Sequence, residues 1–271
     1  MQQRIAFIGG GNMASAIIGG LLKQGWPGDH VDVVEPFDEA RAKLHSQFGI
    51  TAQTQAGSFL TRADIVVWAV KPQTFKDAAA QAQAQARGAL HLSVAAGIGS
   101  DTIAQWLGSE RVVRSMPNTP ALIGKGITGL FARAAVTEAD KALINHVLGS
   151  TGEVMWVGAE AQIDAVTAIS GSGPAYVFYF MEAMREAGIG MGLDAVQAYQ
   201  LAVATFIGAG ELAKASTEPP EVLRQRVTSK GGTTYAALSA MQASGIKQAF
   251  IAAMQAAQAR AREMGEEFGA G

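Results

Sequence analysis

The sequence predicts an α/β fold whose second half is entirely helical. Three observations predict it. The first 160 residues alternate between short β-branched runs and amphipathic helical stretches. The strand pattern fades after residue 160. Between the first β-branched run and the first helix stands a glycine-rich turn, IAFIGGGNMASAIIGGL, Ile5 to Leu21. Alternation of this kind yields parallel βαβ units with helices on both faces of the sheet.

The elements follow in order. Arg4–Ile8, Val31–Glu35, Asp64–Val70, Leu90–Ala95 and Arg111–Met116 read as strands. Met13–Gln24, Asp38–Phe48, Gln73–Arg87 and Thr102–Leu107 read as the helices between them. Pro72 suits the first position of the third helix, where a missing N–H costs nothing. Two further strands read at Gly126–Arg133 and Glu153–Val157, and Thr137-Glu-Ala-Asp140 starts the helix between them as a capping box. Beyond them, helical patterns cover Ala161–Ala187, Asp194–Lys214, Pro220–Arg226, Thr233–Ser244 and Ile246–Glu267. The glycines at 188, 190 and 192 separate the first two, and Ser216–Pro220 breaks the next. Two domains follow: residues 1–160 as an α/β unit and 161–271 as a helical unit.

Bulk properties exclude several classes. The 271 residues suffice for two cores. Hydrophobic residues make up 49% and charged ones 16%, which favours a large buried fraction or an oligomer interface. A net charge of −2 with no long basic run argues against nucleic acid as a partner. There are no cysteines, which removes disulfides, thiolate metal sites and cysteine nucleophiles. His30, His45, His91 and His146 lack ligand spacing, so no metal is expected. No apolar run reaches the ~18 residues of a membrane span. The expected location is the cytoplasm.

Gly9-x-Gly11-x-x-Ala14 follows a strand and opens a helix, as the Rossmann-type dinucleotide fingerprint requires. Gly9 permits the tight turn, Gly11 lets backbone approach a pyrophosphate, and Ala14 keeps helix and strand close. Ile8, Gly10 and the helix-start N–H groups of Asn12 and Met13 complete the expected phosphate cradle. Glu35 ends the second strand, where an acid can accept from a ribose 2′-OH, which leans towards NADH; Arg41 on the next helix can instead reach a 2′-phosphate. Ligands of open α/β sheets gather outside the carboxyl ends of the strands. That places Ala69, Val70, Lys71 and Pro72 after the third strand, Ala96 and Gly97 after the fourth, and Asn118 after the fifth beside the cofactor. Lys71 can equally be a solvated lysine, and Asn118 either bonds a carboxamide or supports its own loop. In the helical half, Ser229-Lys-Gly-Gly-Thr-Thr234 precedes a helix. Gly231 and Gly232 free the backbone to form an N–H nest for a carboxylate, and Thr234 adds a hydroxyl. Thr228, Ser229 and Thr233 also suit plain helix caps.

Six motifs in order and spacing resemble the pyrroline-5-carboxylate reductase family: FIGGGNMA (7–14), AVKPQ (69–73), SVAAG (93–97), MPNTP (116–120), SGSGPAYVF (170–178) and VTSKGGTTYAAL (227–238). The resemblance implies reduction of the C=N bond of L-Δ1-pyrroline-5-carboxylate by NADPH or NADH, giving L-proline. It implies that backbone N–H groups of Ser229, Gly231, Gly232 and Thr233 take the substrate carboxylate and that Thr234 bonds the ring nitrogen. It implies a homodimer assembled further, such as into a decamer. Relatives often carry an asparagine near the adenosine ribose where this chain reads Thr54-Gln55-Ala56, which leaves the cofactor preference open. The competing enzyme class, β-hydroxyacid dehydrogenases, expects a lysine and an asparagine where this chain has Val177 and Phe180. A non-catalytic nucleotide sensor needs the glycine turn but not the Ser229–Thr234 cluster.

Overall fold

The computed structural model describes residues 3–269. Two compact units form: residues up to Ser172 together with those from Ala257 on, and Gly173–Ala256. The division falls after Ser172 rather than at 160, and the last helix begins in one unit and ends in the other.

The first unit holds seven strands: β1 (Ile5–Ile8), β2 (Val31–Val34), β3 (Ile65–Trp68), β4 (Leu90–Ser93), β5 (Val112–Met116), β6 (Gly126–Ala132) and β7 (Gly152–Trp156), in the order β2-β1-β3-β4-β5-β6-β7. Its helices are α1 (Asn12–Lys23), α2 (Asp38–Phe48), α3 (Pro72–Ala86), α4 (Ser100–Leu107), α5 (Glu138–Gly149) and α6 (Gln162–Val166). Every pairing is parallel except β5 with β6. Only a short 3-10 turn, Thr119–Ile123, joins those two. A parallel return needs a crossover of a dozen residues or more, so this link forces the antiparallel pairing.

The central strands are buried on both faces because their side chains alternate between two cores. Ile5, Phe7, Ile65 and Val67 pack on one face with Ile17, Leu21 and Val147 from α1 and α5. Ala6, Ile8, Val66 and Trp68 pack on the other with Phe75 and Ala79 of α3 and Ile103 of α4. The strands are shorter than their sequence pattern. Glu35, Ala69, Val70 and Ala95 lie beyond the last paired residues, in the loops at the carboxyl edge of the sheet.

The expected helix Ala161–Ala187 is broken. After α6 comes a π-turn at Thr167–Gly171. The hydroxyls of Thr167 and Ser170 donate to the carbonyls of Ile163 and Val166, competing with the regular ladder. Ser172 N–H then reaches back five residues to Thr167 O at 2.8 Å. The bulge seats Gly171 against Met116, where a Cβ would stand 2.5 Å from Met116 Cε.

The second unit contains α7 (Gly173–Gly190), α8 (Ala195–Ala215), α9 (Pro220–Arg226), α10 (Thr233–Ala243) and the first part of α11 (Ile246–Gly269). Asp194 caps α8 in a reciprocal box with Gln197. A Cβ on Gly188 would meet Ala198 Cβ at 2.8 Å, so α7 and α8 lie close at that glycine. Tyr176 and Phe180 set their rings edge-on to Phe250. Much of this unit's apolar surface remains open: Phe178, Tyr179, Val196, Leu201, Ile207 and Leu212 are all exposed. Among the described residues, no helix is long and apolar enough to cross a membrane.

Candidate functional site

The glycine turn joins β1 to α1, and each glycine in it answers a different demand. Gly9 sits at φ +96°, and a Cβ there would lie 2.6 Å from Ala69 O. It therefore supplies both a left-handed backbone and the close approach of β1 to β3. Gly10 has Leu44 Cδ1 at 2.6 Å from its missing Cβ. Gly11 has an ordinary φ of −72°, and a Cβ on it would meet nothing within 4 Å. Folding does not require glycine there. The open approach at Gly11 is what a diphosphate close to backbone needs, so the residues present fit a dinucleotide.

The donors of the turn divide accordingly. Gly9 N–H donates to Val34 O at 2.8 Å, and Gly10 N–H donates to Glu35 Oε2 at 2.8 Å. Those two hold the turn itself. Asn12 and Met13 stand in the first turn of α1, whose N–H groups have no intrahelical acceptor. No side chain caps α1 and no acid stands in its first turn, so its positive end is free to face an anion.

The other strand ends converge on the same edge. Ala69 N–H donates to Ile8 O at 2.8 Å, and Val94 N–H to Trp68 O at 3.1 Å. Lys71 is the exposed N-cap of α3, and Pro72 takes the first helical position as expected. Val70 and Ala96 are half-buried. Two predicted residues, Glu35 and Gly97, stand in arrangements the sequence did not display, and Asn118 makes the loop contacts of one of its two readings. Glu35 is buried, with its carboxylate turned under the glycine turn, where Oε2 accepts from Gly10 N–H. Gly97 lies beneath Met264 and Phe268 of α11, which a Cβ would meet at 3.1 and 3.3 Å. Asn118 supports its loop: its amide donates to Ser170 O at 3.1 Å and accepts from Ile127 N–H at 3.0 Å.

A charged cluster that the motifs did not mark lies beside this edge. Arg114, buried on β5, pairs with Glu160 at 3.0 Å and Asp164 at 3.2 Å. Glu160 also accepts from the N–H and hydroxyl of Ser100, tying α4 to the segment that leads into α6.

In the second unit, Ser229–Gly232 forms a tight turn closed by Gly232 N–H to Ser229 O at 3.0 Å. Gly231 at φ +76° takes the left-handed position of that turn. A Cβ on Gly232 would meet Ser229 Oγ at 2.6 Å. Gly232 is the N-cap of α10, with no side-chain cap and no acid in the first turn. The hydroxyls of Ser229 and Thr233 therefore do not cap this helix, and Thr228 donates instead to Arg224 O. Ser229, Gly231 and Thr233 are exposed, and Thr234 is half-buried on the first turn.

A largely parallel sheet with a glycine turn of this geometry at its carboxyl edge defines a Rossmann-type dinucleotide-binding protein. The model for NADP oxidoreductase, coenzyme F420-dependent, matches residues 4–97, and that for pyrroline-5-carboxylate reductase dimerisation matches residues 160–264. The pyrroline-5-carboxylate reductase of Pseudomonas aeruginosa is 45% identical over 98% of both chains, and that of Escherichia coli 38% over 94% of this chain and 95% of its own. The chain belongs to the pyrroline-5-carboxylate reductase family. Among solved structures, a pyrroline-5-carboxylate reductase from Coxiella burnetii superposes with a TM-score of 0.91 at 36% identity, covering 97% of this chain and 99% of that one. The NADP-bound enzyme of Plasmodium falciparum superposes at 0.87 with 28% identity, covering 98% and 99%.

Proposed function

We propose that this chain reduces L-Δ1-pyrroline-5-carboxylate to L-proline with NADPH or NADH, the final step of proline biosynthesis. The reduced nicotinamide, when bound, supplies a hydride to the carbon of the C=N bond. The chain's own residues bind and orient. Gly11, Asn12 and Met13 offer N–H groups to the diphosphate, with Ile8, Gly9, Gly10, Ala69, Val70, Lys71, Pro72, Ala96, Gly97 and Asn118 shaping the edge around it.

The observation that carries the substrate reading is the start of α10: a glycine N-cap without a capping side chain, no acid, and Thr234 in the first turn. Such an end attracts a carboxylate through its N–H groups and dipole. The N–H groups of the Ser229–Thr233 segment hold that carboxylate, and the hydroxyl of Thr234 orients the ring nitrogen. A cyclic imine accepts a proton more readily than a carbonyl oxygen does, so the main demand is alignment of the two reacting carbons. The unit built on the sheet serves the cofactor, and the helical unit Gly173–Ala256 serves dimerisation and substrate. The exposed apolar helices of the second unit favour a homodimer; its further assembly, as in a decamer, and its place in the cytoplasm are what the family resemblance implies.

Thr234→Ala tests the substrate reading. Losing one hydrogen bond to a partly charged group removes roughly 1.5–3 kcal/mol, so kcat/KM for pyrroline-5-carboxylate falls roughly ten- to a hundredfold. The dissociation constant for NADPH stays unchanged. Near-normal kcat/KM in this variant would reduce Thr234 to a helix-start residue.

A further inference from the structure

An acid at the end of the second strand of a dinucleotide-binding sheet ordinarily faces the adenosine ribose. Glu35 does not. It is only 5% exposed, and both carboxylate oxygens accept from backbone: Oε2 from Gly10 N–H at 2.8 Å and Oε1 from Phe37 N–H at 2.9 Å. A Cβ on Gly10 would stand 3.3 Å from both Cβ and Cγ of Glu35, so the acid lies directly against the turn. Its own N–H donates to Gln53 O at 2.8 Å, which anchors the backbone from which the side chain reaches. The carboxylate thereby links the loop after β1, which cradles the diphosphate, to the loop after β2, which borders the adenosine.

Arg41 closes the second loop from its other side. Its guanidinium donates to the carbonyls of Glu35 at 2.9 Å and Pro36 at 2.7 Å, and it pairs with Asp38. Both charged side chains that the sequence offers to the ribose 2′ position are thus engaged within the protein. Glu35 is almost wholly buried and each of its carboxylate oxygens already holds a backbone N–H, so little of the carboxylate is left open towards a ribose hydroxyl.

We propose that Glu35 is a positioning residue: its buried carboxylate clamps the phosphate-cradling turn to the adenosine-side loop and takes no part in distinguishing NADH from NADPH. The inference rests on the nicotinamide cofactor proposed above. Loosening the clamp weakens both cofactors alike, because it moves the diphosphate cradle that they share. A ribose-reading acid behaves oppositely, since its neutralisation costs NADH its partner and relieves the repulsion of a 2′-phosphate.

The test is equilibrium binding of NADH and NADPH to wild type and Glu35→Gln, read by nucleotide fluorescence, with a thermal melt of each protein. The amide keeps one acceptor and turns its NH2 towards the other N–H. Affinity for both nucleotides is expected to fall roughly tenfold, the scale of one charge-assisted hydrogen bond, while their ratio stays within about threefold. Phe37 provides an approach that leaves Glu35 in place. Phe37→Pro removes the N–H donor at a residue 72% exposed with φ −89°, within about 25° of proline's usual −65°. Phe37→Ala removes the same ring and keeps the donor. The clamp requires Phe37→Pro to bind both nucleotides more weakly than Phe37→Ala. A tenfold shift of the NADPH-to-NADH ratio towards NADPH in Glu35→Gln overturns the clamp and restores the ribose role. A lowered melting temperature with unchanged affinities, or equal binding by the two Phe37 variants, overturns it as well. A wild type that binds neither nucleotide overturns the cofactor reading, and the clamp with it.

Discussion

Gly9 and Gly11 stand two residues apart in one motif, and their environments require opposite consequences of substitution. In Gly9→Ala the new Cβ meets Ala69 O at 2.6 Å, and the backbone must hold φ +96°. The left-handed conformation costs an L-residue roughly 1–2 kcal/mol, and forcing a methyl against backbone adds roughly 1–3 kcal/mol. The sum, about 2–5 kcal/mol, is a large part of a typical stability of about 5–15 kcal/mol. At roughly 2–4 °C per kcal/mol for a chain approaching this size, the melting temperature falls by about 4–20 °C. In Gly11→Val the backbone already has φ −72° and the Cβ meets nothing within 4 Å. Stability then changes by no more than about 0.5 kcal/mol, as at an ordinary surface position. What changes is access, because the branched side chain occupies the approach to the N–H groups of α1. Loss of even one charge-assisted bond there weakens NADPH binding at least roughly tenfold. Differential scanning fluorimetry and NADPH titration, run on both variants, separate the two effects. A folded Gly11→Val protein with wild-type titration would refute the assignment of this turn to the diphosphate. So would a Gly11→Val melt as low as that of Gly9→Ala.

Two further outcomes follow from other parts of the molecule. His91 is fully buried, its Nδ1 accepts from Trp68 Nε1 at 3.1 Å, and desolvation, then the charge of Arg111, lowers its pKa from 6.5 to about 4. The unfolded chain binds a proton between those values that the folded chain refuses, so this contribution is complete above pH 6.5 and is lost as the pH falls towards 4, an effect of about 3 kcal/mol. His91→Gln, which keeps an acceptor for Trp68, should reduce the stability difference between pH 7.5 and 4.5 by about 2–3 kcal/mol in urea titrations; parallel pH profiles would show that His91 is not responsible. The open apolar faces of α7 and α8 require a partner, so light scattering at assay concentration should give a dimer or a multiple of it. A stable, active monomer would reject that.

Local chemistry made much of this legible in the sequence. The glycine turn could be recognised because each requirement, a left-handed φ, a bare backbone and a helix start, leaves its mark within six residues. The parallel strands could be recognised because burial on two faces demands runs such as Ile65–Trp68. What the sequence left hidden depends on direction or on distant packing. Glu35 reads as an acid at a strand end, and no local pattern says that its side chain turns inward to Gly10. Gly97 reads as part of a cofactor loop, while the residues over it, Met264 and Phe268, lie more than 160 positions away. The π-turn at Thr167–Gly171 is announced only by serine, threonine and glycine, which the apolar residues around them mask. The reversal of β6 had a readable cause in the short Thr119–Ile123 link, too brief for a crossover.

The chemistry at issue is transfer of a hydride to a cyclic imine that carries a carboxylate. The most direct measurement incubates the purified protein with L-Δ1-pyrroline-5-carboxylate and either NADPH or NADH, and quantifies both the oxidised nucleotide and the amino-acid product. L-proline should form in a one-to-one ratio with nucleotide oxidised, and the Thr234→Ala protein should be slowed at unchanged nucleotide affinity. Folded wild-type protein that binds a reduced nucleotide yet yields no proline with either one would contradict that chemistry.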